Sequence, residues 1–131
     1  MGRSRELVER LAERLNAGDL EGWVVLYSED LEFVASDSWP ETSTIRGRDG
    51  LREFWAEFSG VWDEVQIQID RLHEGEDAVV AESRWVTRGR ASGVEGTLEF
   101  VLGLWMRDGL IVRGQFFDEL DDALEAVGLA P

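Results

Sequence analysis

The sequence predicts an α+β domain in which helices come first and a long antiparallel sheet follows. Two observations carry this. Up to Ser59, apolar residues recur mainly every three or four positions, the period of a helix buried on one side. Beyond Gly60 the period switches to two and holds through four successive segments, the pattern of half-buried strands. Helices grouped ahead of such a sheet pack on one of its faces. Strand twist accumulates, so a long sheet curls around its helices and leaves a cavity at the concave face.

Leu7, Val8, Leu11, Ala12 and Leu15 share one face of the first helix, with Ser4 a candidate N-cap and Asn16-Ala17-Gly18 a stop. Asp19 caps a second, shorter helix that carries Trp23, Leu26 and Tyr27 and is predicted to end at Ser28-Glu29-Asp30. Leu31-Glu32-Phe33-Val34 reads as a short strand. Ala35 to Arg46, with its Ser, Asp, Thr and Pro40, reads as a long loop of the kind that serves as a lid. Gly47-Arg48-Asp49-Gly50 opens a third helix with Leu51, Phe54, Trp55 and Phe58 on one side, ended by Gly60.

In the first long strand, Val65, Ile67 and Ile69 alternate with Gln66, Gln68 and Asp70. The charged turn His73-Glu74-Gly75-Glu76-Asp77 leads into a second strand, Ala78 to Thr87, and the glycine-rich Arg88 to Gly96 into a third, Thr97 to Arg107. Asp108-Gly109 suits a type I′ turn into the fourth, Leu110 to Phe117. Leu120, Leu124 and Val127 mark a short closing helix ended by Gly128.

At 131 residues the chain is one domain, 1–131. With 13 Lys plus Arg against 28 Asp plus Glu, its formal charge of −15 speaks against nucleic acid and anionic membrane, which bind largely through basic residues. There is no Cys, hence no disulfide or thiolate site. One His among scattered carboxylates gives no metal-ligand spacing, and no glycine-rich phosphate motif supports a nucleotide, so no metal or cofactor is expected. No apolar run is long enough for a membrane span or signal segment, which makes a cytoplasmic protein the expectation. The six Trp are the compositional oddity.

Several segments carry a family resemblance. Leu15-Asn16-Ala17-Gly18-Asp19-Leu20-Glu21-Gly22 followed by Leu26-Tyr27-Ser28-Glu29-Asp30 resembles the first two helices of the SnoaL-like and ketosteroid-isomerase-like proteins of the nuclear-transport-factor-2-like superfamily. Ile45-Arg46-Gly47-Arg48-Asp49-Gly50-Leu51-Arg52-Glu53-Phe54-Trp55 is similar to the segment entering their third helix. Arg88 to Glu95 and Met106 to Arg113 resemble two of their hairpins. Phe116-Phe117-Asp118-Glu119 with Ala123 to Leu129 resembles the end of many bacterial members. The resemblance implies a cone-shaped barrel: three N-terminal helices on the concave face of a curved, mainly antiparallel sheet, and a short C-terminal helix. It also implies a deep apolar pocket and a homodimer through the outer face of the sheet. It selects no single activity, because fold alone does not choose one.

The isomerase branch of that family uses a carboxylate base after the second helix and an oxyanion hole of a Tyr and a protonated Asp. The matching positions here hold Ala35, Leu11 and, near the sheet position, Gly103. Asp37 is a substitute base if the loop register differs, but the cluster Ser36-Asp37-Ser38 favours a solvated or turn-capping residue. The epoxide-hydrolase branch uses an Asp-Arg-Asp cluster, whose nearest match is Glu82, Arg84 and Glu99, with Asp118 or Glu119 at the sheet's end. Glu82 and Arg84 share a face, while Glu99 joins them only in the right register. The same residues also read as an ion pair on the outer face. Gln115 stands where relatives often carry a carboxylate, and an amide takes no proton. His73 falls at a solvated hairpin tip.

Aromatic residues give the clearest signal. Trp23, Tyr27, Phe33, Trp39, Phe54, Trp55 and Phe58 come from the helices and loop facing the expected cavity, and Trp85, Trp105, Phe116 and Phe117 from the sheet. Trp39, beside Pro40 in a polar loop, reads as a lid residue closing over an apolar ligand. The expected function is therefore binding of a small apolar polyketide-, terpenoid- or steroid-like molecule in a pocket walled by these aromatics and Gln115. Asp37, Glu82, Arg84 and Glu99 are the candidates for cofactor-free isomerisation, cyclisation or hydration. The alternative is a non-catalytic ligand-binding or dimerisation module.

Overall fold

Helix α1, Arg3–Asn16, buries Leu7, Val8, Leu11 and Leu15 and leaves its acidic residues outside. The computed structural model describes residues 3–34, 44–60, 62–89 and 93–129. Ser4 already lies inside this helix, and instead of capping it the Ser4 hydroxyl donates to Glu74 Oε1 across 2.8 Å. The helix closes with Gly18 N–H on Leu15 O and Asp19 N–H on Arg14 O, the paired bonds that satisfy the last carbonyls.

Helix α2 is a single five-residue turn, Leu20–Val24, capped by Asp19, whose carboxylate accepts from Gly22 N–H at 2.9 Å. The second helix is thus shorter than its spacing predicts. Leu26 and Tyr27 continue the helical pattern in sequence, yet Tyr27 opens strand β1, Tyr27–Val34, which pairs in parallel with the last strand; Ile111 N–H donates to Leu26 O at 3.0 Å. One capped turn gives little helical stability of its own, and the strand pairing overrides it. A second departure concerns the predicted loop from Ala35 to Arg46. Its last three residues, Thr44–Arg46, form strand β2, antiparallel to β1 with Phe33 opposite Ile45.

Helix α3 spans Gly47–Ser59 and buries Leu51. The meander follows as β3, Trp62–Glu74, β4, Ala78–Gly89, β5, Glu95–Arg107, and β6, Leu110–Phe117, with α4, Leu120–Ala126, closing the chain. At the β5–β6 turn Asp108 and Gly109 take φ of 56° and 79°, the two left-handed positions of a type I′ turn. The sheet is curved and open, in the order β2-β1-β6-β5-β4-β3, and only β1 with β6 is parallel.

Alternation separates the two faces. On β4, Val79, Ala81, Ser83, Trp85 and Thr87 are buried under the helices, and the Ser83 and Thr87 hydroxyls are satisfied by the carbonyls of Phe100 and Gly96. The main core joins Val79, Ala81 and Trp85 to the α1 leucines, Leu51, Phe33, Leu102, Leu104 and Phe116. Ala78 and Val80 point the other way and are also buried, on the outer face where α4 packs against β4, β5 and β6 with Ala123 fully enclosed.

The free edge of β3 is tied down by Asn16. Its Nδ2 donates to Ile67 O at 2.9 Å, and its Oδ1 accepts from Ile67 N–H at 2.7 Å. The side chain thereby takes the place of a neighbouring strand at one residue. No described helix is long and apolar enough to cross a membrane.

Candidate functional site

Between α1, α2, α3 and the concave face lies a pocket walled by Leu11, Leu15, Trp23, Tyr27, Phe33, Ile45, Leu51, Phe54, Trp85, Leu102, Leu104 and Phe116. Eleven of these twelve carry purely hydrocarbon side chains or the polar-tipped Trp, and Tyr27 is the one titratable group among them; none bears a carboxylate, amine or imidazole. Each element contributes through its own period: Leu11 and Leu15 one helical turn apart, Leu102 and Leu104 two strand positions apart.

A continuous chain of rings runs around this pocket. Tyr27 meets Trp23 edge-on at 5.2 Å between centroids, Trp23 lies 5.8 Å from Trp55, and Trp55 lies 6.3 Å from Trp85. The chain continues from Trp85 to Phe100 at 5.4 Å, to Phe116 at 5.2 Å and to Phe33 at 4.9 Å. All are distances at which aromatic pairs attract beyond their buried area. The packing is close: the free space at the centre is about 20 Å³. That is room on the order of one water.

Burial pushes the Tyr27 phenol well above its ordinary value, because the phenolate is disfavoured away from water. The Trp23 indole N–H lies near enough to offset this slightly, yet outside hydrogen-bonding geometry, and Trp23 Nε1 is buried with no partner.

The residues singled out in the sequence fall in three places. Trp23, Tyr27, Phe33 and Phe54 line the pocket, and Trp55 stands directly behind Trp23 and Trp85. Asp37, Trp39 and the Phe58 side chain lie outside the described residues. Glu82, Arg84 and Glu99 sit together on the outer face: Arg84 and Glu99 are register partners, and neither they nor Glu82 line the pocket. Arg84 binds Asp70 through Nε and Nη2 at 2.8 and 2.9 Å, a bidentate pair that raises its pKa further. Glu82 Oε2 meets His73 Nε2 at 2.9 Å, so His73 has a carboxylate neighbour on the same face. Gln115, opposite Gly103, alternates with Gly114 and Phe116 and so also faces outward, as do Phe117 and Trp105, over which Arg113 lies at 5.4 Å.

The aliphatic wall residues Leu11, Leu15, Ile45, Leu51, Leu102 and Leu104 carry no aromatic signal in the sequence, although the alternation through Leu102 and Leu104 marks them as inward-facing. A wider cleft of about 840 Å³ opens at the other end, between the start of α1 and the hairpin tips at Glu74–Asp77 and Asp108. Solvated charges dominate its walls, unlike the largely apolar lining of small-molecule sites. Among the described residues no group of three or more His, Asp or Glu side chains is arranged to hold a metal ion.

The SnoaL-like domain family matches residues 8–114, a span running from the α1 core face to β6. The chain belongs to the SnoaL-like family. No curated protein matches the sequence. Solved structures share this SnoaL-like fold at low identity. A protein of unknown function from Burkholderia pseudomallei, described as nuclear-transport-factor-2-like, is 18% identical over 97% of this chain and 98% of its own, with a TM-score of 0.79. A putative SnoaL-like polyketide cyclase from Jannaschia is 16% identical over 98% and 94%, TM-score 0.76. A Mycobacterium tuberculosis protein in complex with estradiol-17β-hemisuccinate is 17% identical over 91% and 95%, TM-score 0.75.

Proposed function

We propose that this SnoaL-like chain binds a small, uncharged, largely apolar molecule of polyketide, terpenoid or steroid type between its helices and the concave face of the sheet. The observation that carries this is the lining: twelve residues with a single titratable side chain, a phenol that burial keeps protonated. Such walls offer an apolar ligand contact area and offer an anion no counter-charge, in keeping with a net charge of −15. The steroid skeleton of the ester held by the Mycobacterium tuberculosis relative and the cyclase description of the Jannaschia relative support the polyketide or steroid type of the ligand.

A ligand of drug size needs a pocket of roughly 300 Å³ or more. Binding therefore separates the aromatic walls, and ligands pay for that opening with the contacts they gain. The described walls hold no proton-transfer group poised for catalysis, so binding is the primary reading, and Asp37 is the one earlier base candidate that a catalytic reading keeps. Dimerisation through the outer face belongs to the same proposal; the strip holding Glu82, Arg84 and Glu99 offers both signs of charge to a second copy.

The test is native mass spectrometry and calorimetry with estradiol, farnesol and an uncharged anthraquinone. We expect at least one to bind one per chain at micromolar Kd or tighter. Failure of all three, with nothing copurifying, overturns the proposal.

A further inference from the structure

We infer that the ligand of this pocket carries an uncharged acceptor oxygen, of carbonyl type, that takes the hydrogen of Trp23 Nε1, and that Trp23 thereby sets specificity. The inference rests on the binding function proposed above and specifies the ligand's chemistry.

Trp23 is 4% exposed, lines the pocket, and its Nε1–H has no hydrogen-bond partner. An indole N–H is a donor only, so nothing but an acceptor satisfies it. Buried polar groups in native proteins are almost always paired, and an exception needs a reason. Trp23 meets Tyr27 and Trp55 at 5.2 and 5.8 Å between centroids, a kind of ring contact that Phe also makes without burying an unpaired donor. The one side-chain acceptor in the lining is the Tyr27 hydroxyl oxygen, which lies near the indole but outside hydrogen-bonding geometry. The Tyr27 hydroxyl lies beside the indole and, held protonated by burial, is available as a second donor to the same oxygen. Two neutral donors in an apolar wall discriminate between ligands of one shape that differ by one oxygen. Without a cation in the lining, that oxygen belongs to a neutral group such as a ketone or quinone.

The test uses the full chain and two probes of nearly equal shape, 1-tetralone and tetralin. Tetralin is the more hydrophobic, so an apolar pocket with no donor favours it. We expect wild-type protein to bind tetralone at least tenfold more tightly than tetralin, and Trp23→Phe to abolish that preference whatever its effect on tetralin affinity. In parallel, the Trp23 indole ¹H–¹⁵N resonance, assigned through its contact with the ring of the single tyrosine, should move downfield with tetralone and not with tetralin. This second readout needs no variant and decides the matter if Trp23→Phe does not fold. Equal binding of both probes with an unmoved resonance overturns the inference and leaves the binding function standing. Binding of neither also overturns the inference, while the binding function stands or falls by the estradiol, farnesol and anthraquinone test.

Discussion

The ring of Phe33 lies so close over Gly114, its partner in the parallel β1–β6 ladder, that a Cβ at Gly114 would overlap the ring edge. The contact places Phe33 where it closes the aromatic chain against Phe116 and forms part of the pocket wall. Gly114→Ala should therefore displace the ring, and overpacking of this kind costs about 1–3 kcal/mol. Chemical denaturation checks it. Combined with Phe33→Leu, the alanine should cost markedly less than alone, because the atom it strikes is gone; equal costs in both backgrounds would show that the ring is not what Gly114 accommodates.

Asn16 offers a second, independent site. Its amide makes two hydrogen bonds to the backbone of Ile67 on the exposed edge of β3. Asn16→Ala leaves both backbone groups to water and should destabilise the chain by about 1–2 kcal/mol. Hydrogen exchange gives the sharper readout. The Ile67 amide should lose protection selectively, while amides in the β4–β5 ladder lose only the amount set by global stability.

These two contacts also show what was legible in the sequence. Elements with several periods of pattern, α1, α3 and the four long strands, were readable because each repeats its apolar face often enough to exclude the alternative period. The α2–β1 junction was not, since Trp23, Leu26 and Tyr27 fit a helix and only the pairing of Tyr27 with β6 makes the last of them a strand residue. Strand β2 has three residues, too few to alternate. Glu82 and Arg84 were correctly placed on one face, but which face stayed open because apolar Ala78 and Val80 share it. They are buried by α4, a tertiary fact that local pattern does not carry. Register bulges between Ile69 and Arg71 and between Trp105 and Met106 are likewise invisible to periodicity.

Tyr27 is the only tyrosine, so absorbance near 295 nm reports its ionisation alone. Its pKa is raised above the ordinary value of about 10 by burial. A group raised in this way contributes stability that is intact below the unfolded pKa and is lost as pH rises through the folded one. Native protein should show no phenolate signal where a free tyrosine is half ionised, and the signal should emerge at higher pH together with loss of native circular dichroism. A reversible titration near pH 10 with the fold intact would contradict the buried placement.

Glu21 on α2 and Arg52 on α3 form a bidentate clamp, Nε to Oε2 at 2.9 Å and Nη2 to Oε1 at 2.8 Å, with Asp49 on Nη1 at 2.6 Å. The hydrogen bond from Arg52 lowers the Glu21 pKa. A lowered carboxyl contributes stability above its unfolded value and loses it as pH falls through the folded value. The clamp is solvent-screened, so its effect on global stability is small. The expected result is a Glu21 carboxyl that titrates, by NMR, below an unfolded reference, and returns to that reference in Arg52→Gln. An unchanged Glu21 titration in the variant would remove Arg52 as the cause.

Leu51 connects core and pocket most directly, being 1% exposed and part of the wall. Truncating such a leucine to alanine costs about 2–5 kcal/mol, with the higher values where the surroundings do not collapse. Here the neighbours are rings braced against one another from Tyr27 round to Phe33, so collapse is hindered and the variant should keep an apolar void. Voids lined in this manner stay dry and take up benzene. Leu51→Ala should therefore lower Tm and then recover part of the loss in benzene-saturated buffer, because a ligand that binds only the folded state raises its stability. Wild type, with about 20 Å³ of free space, should recover much less. If benzene raises both proteins equally, the void is not where the structure places it. If it raises neither, the rings are free to close in, and the pocket is then shaped by its ligand more than by the braced aromatic chain.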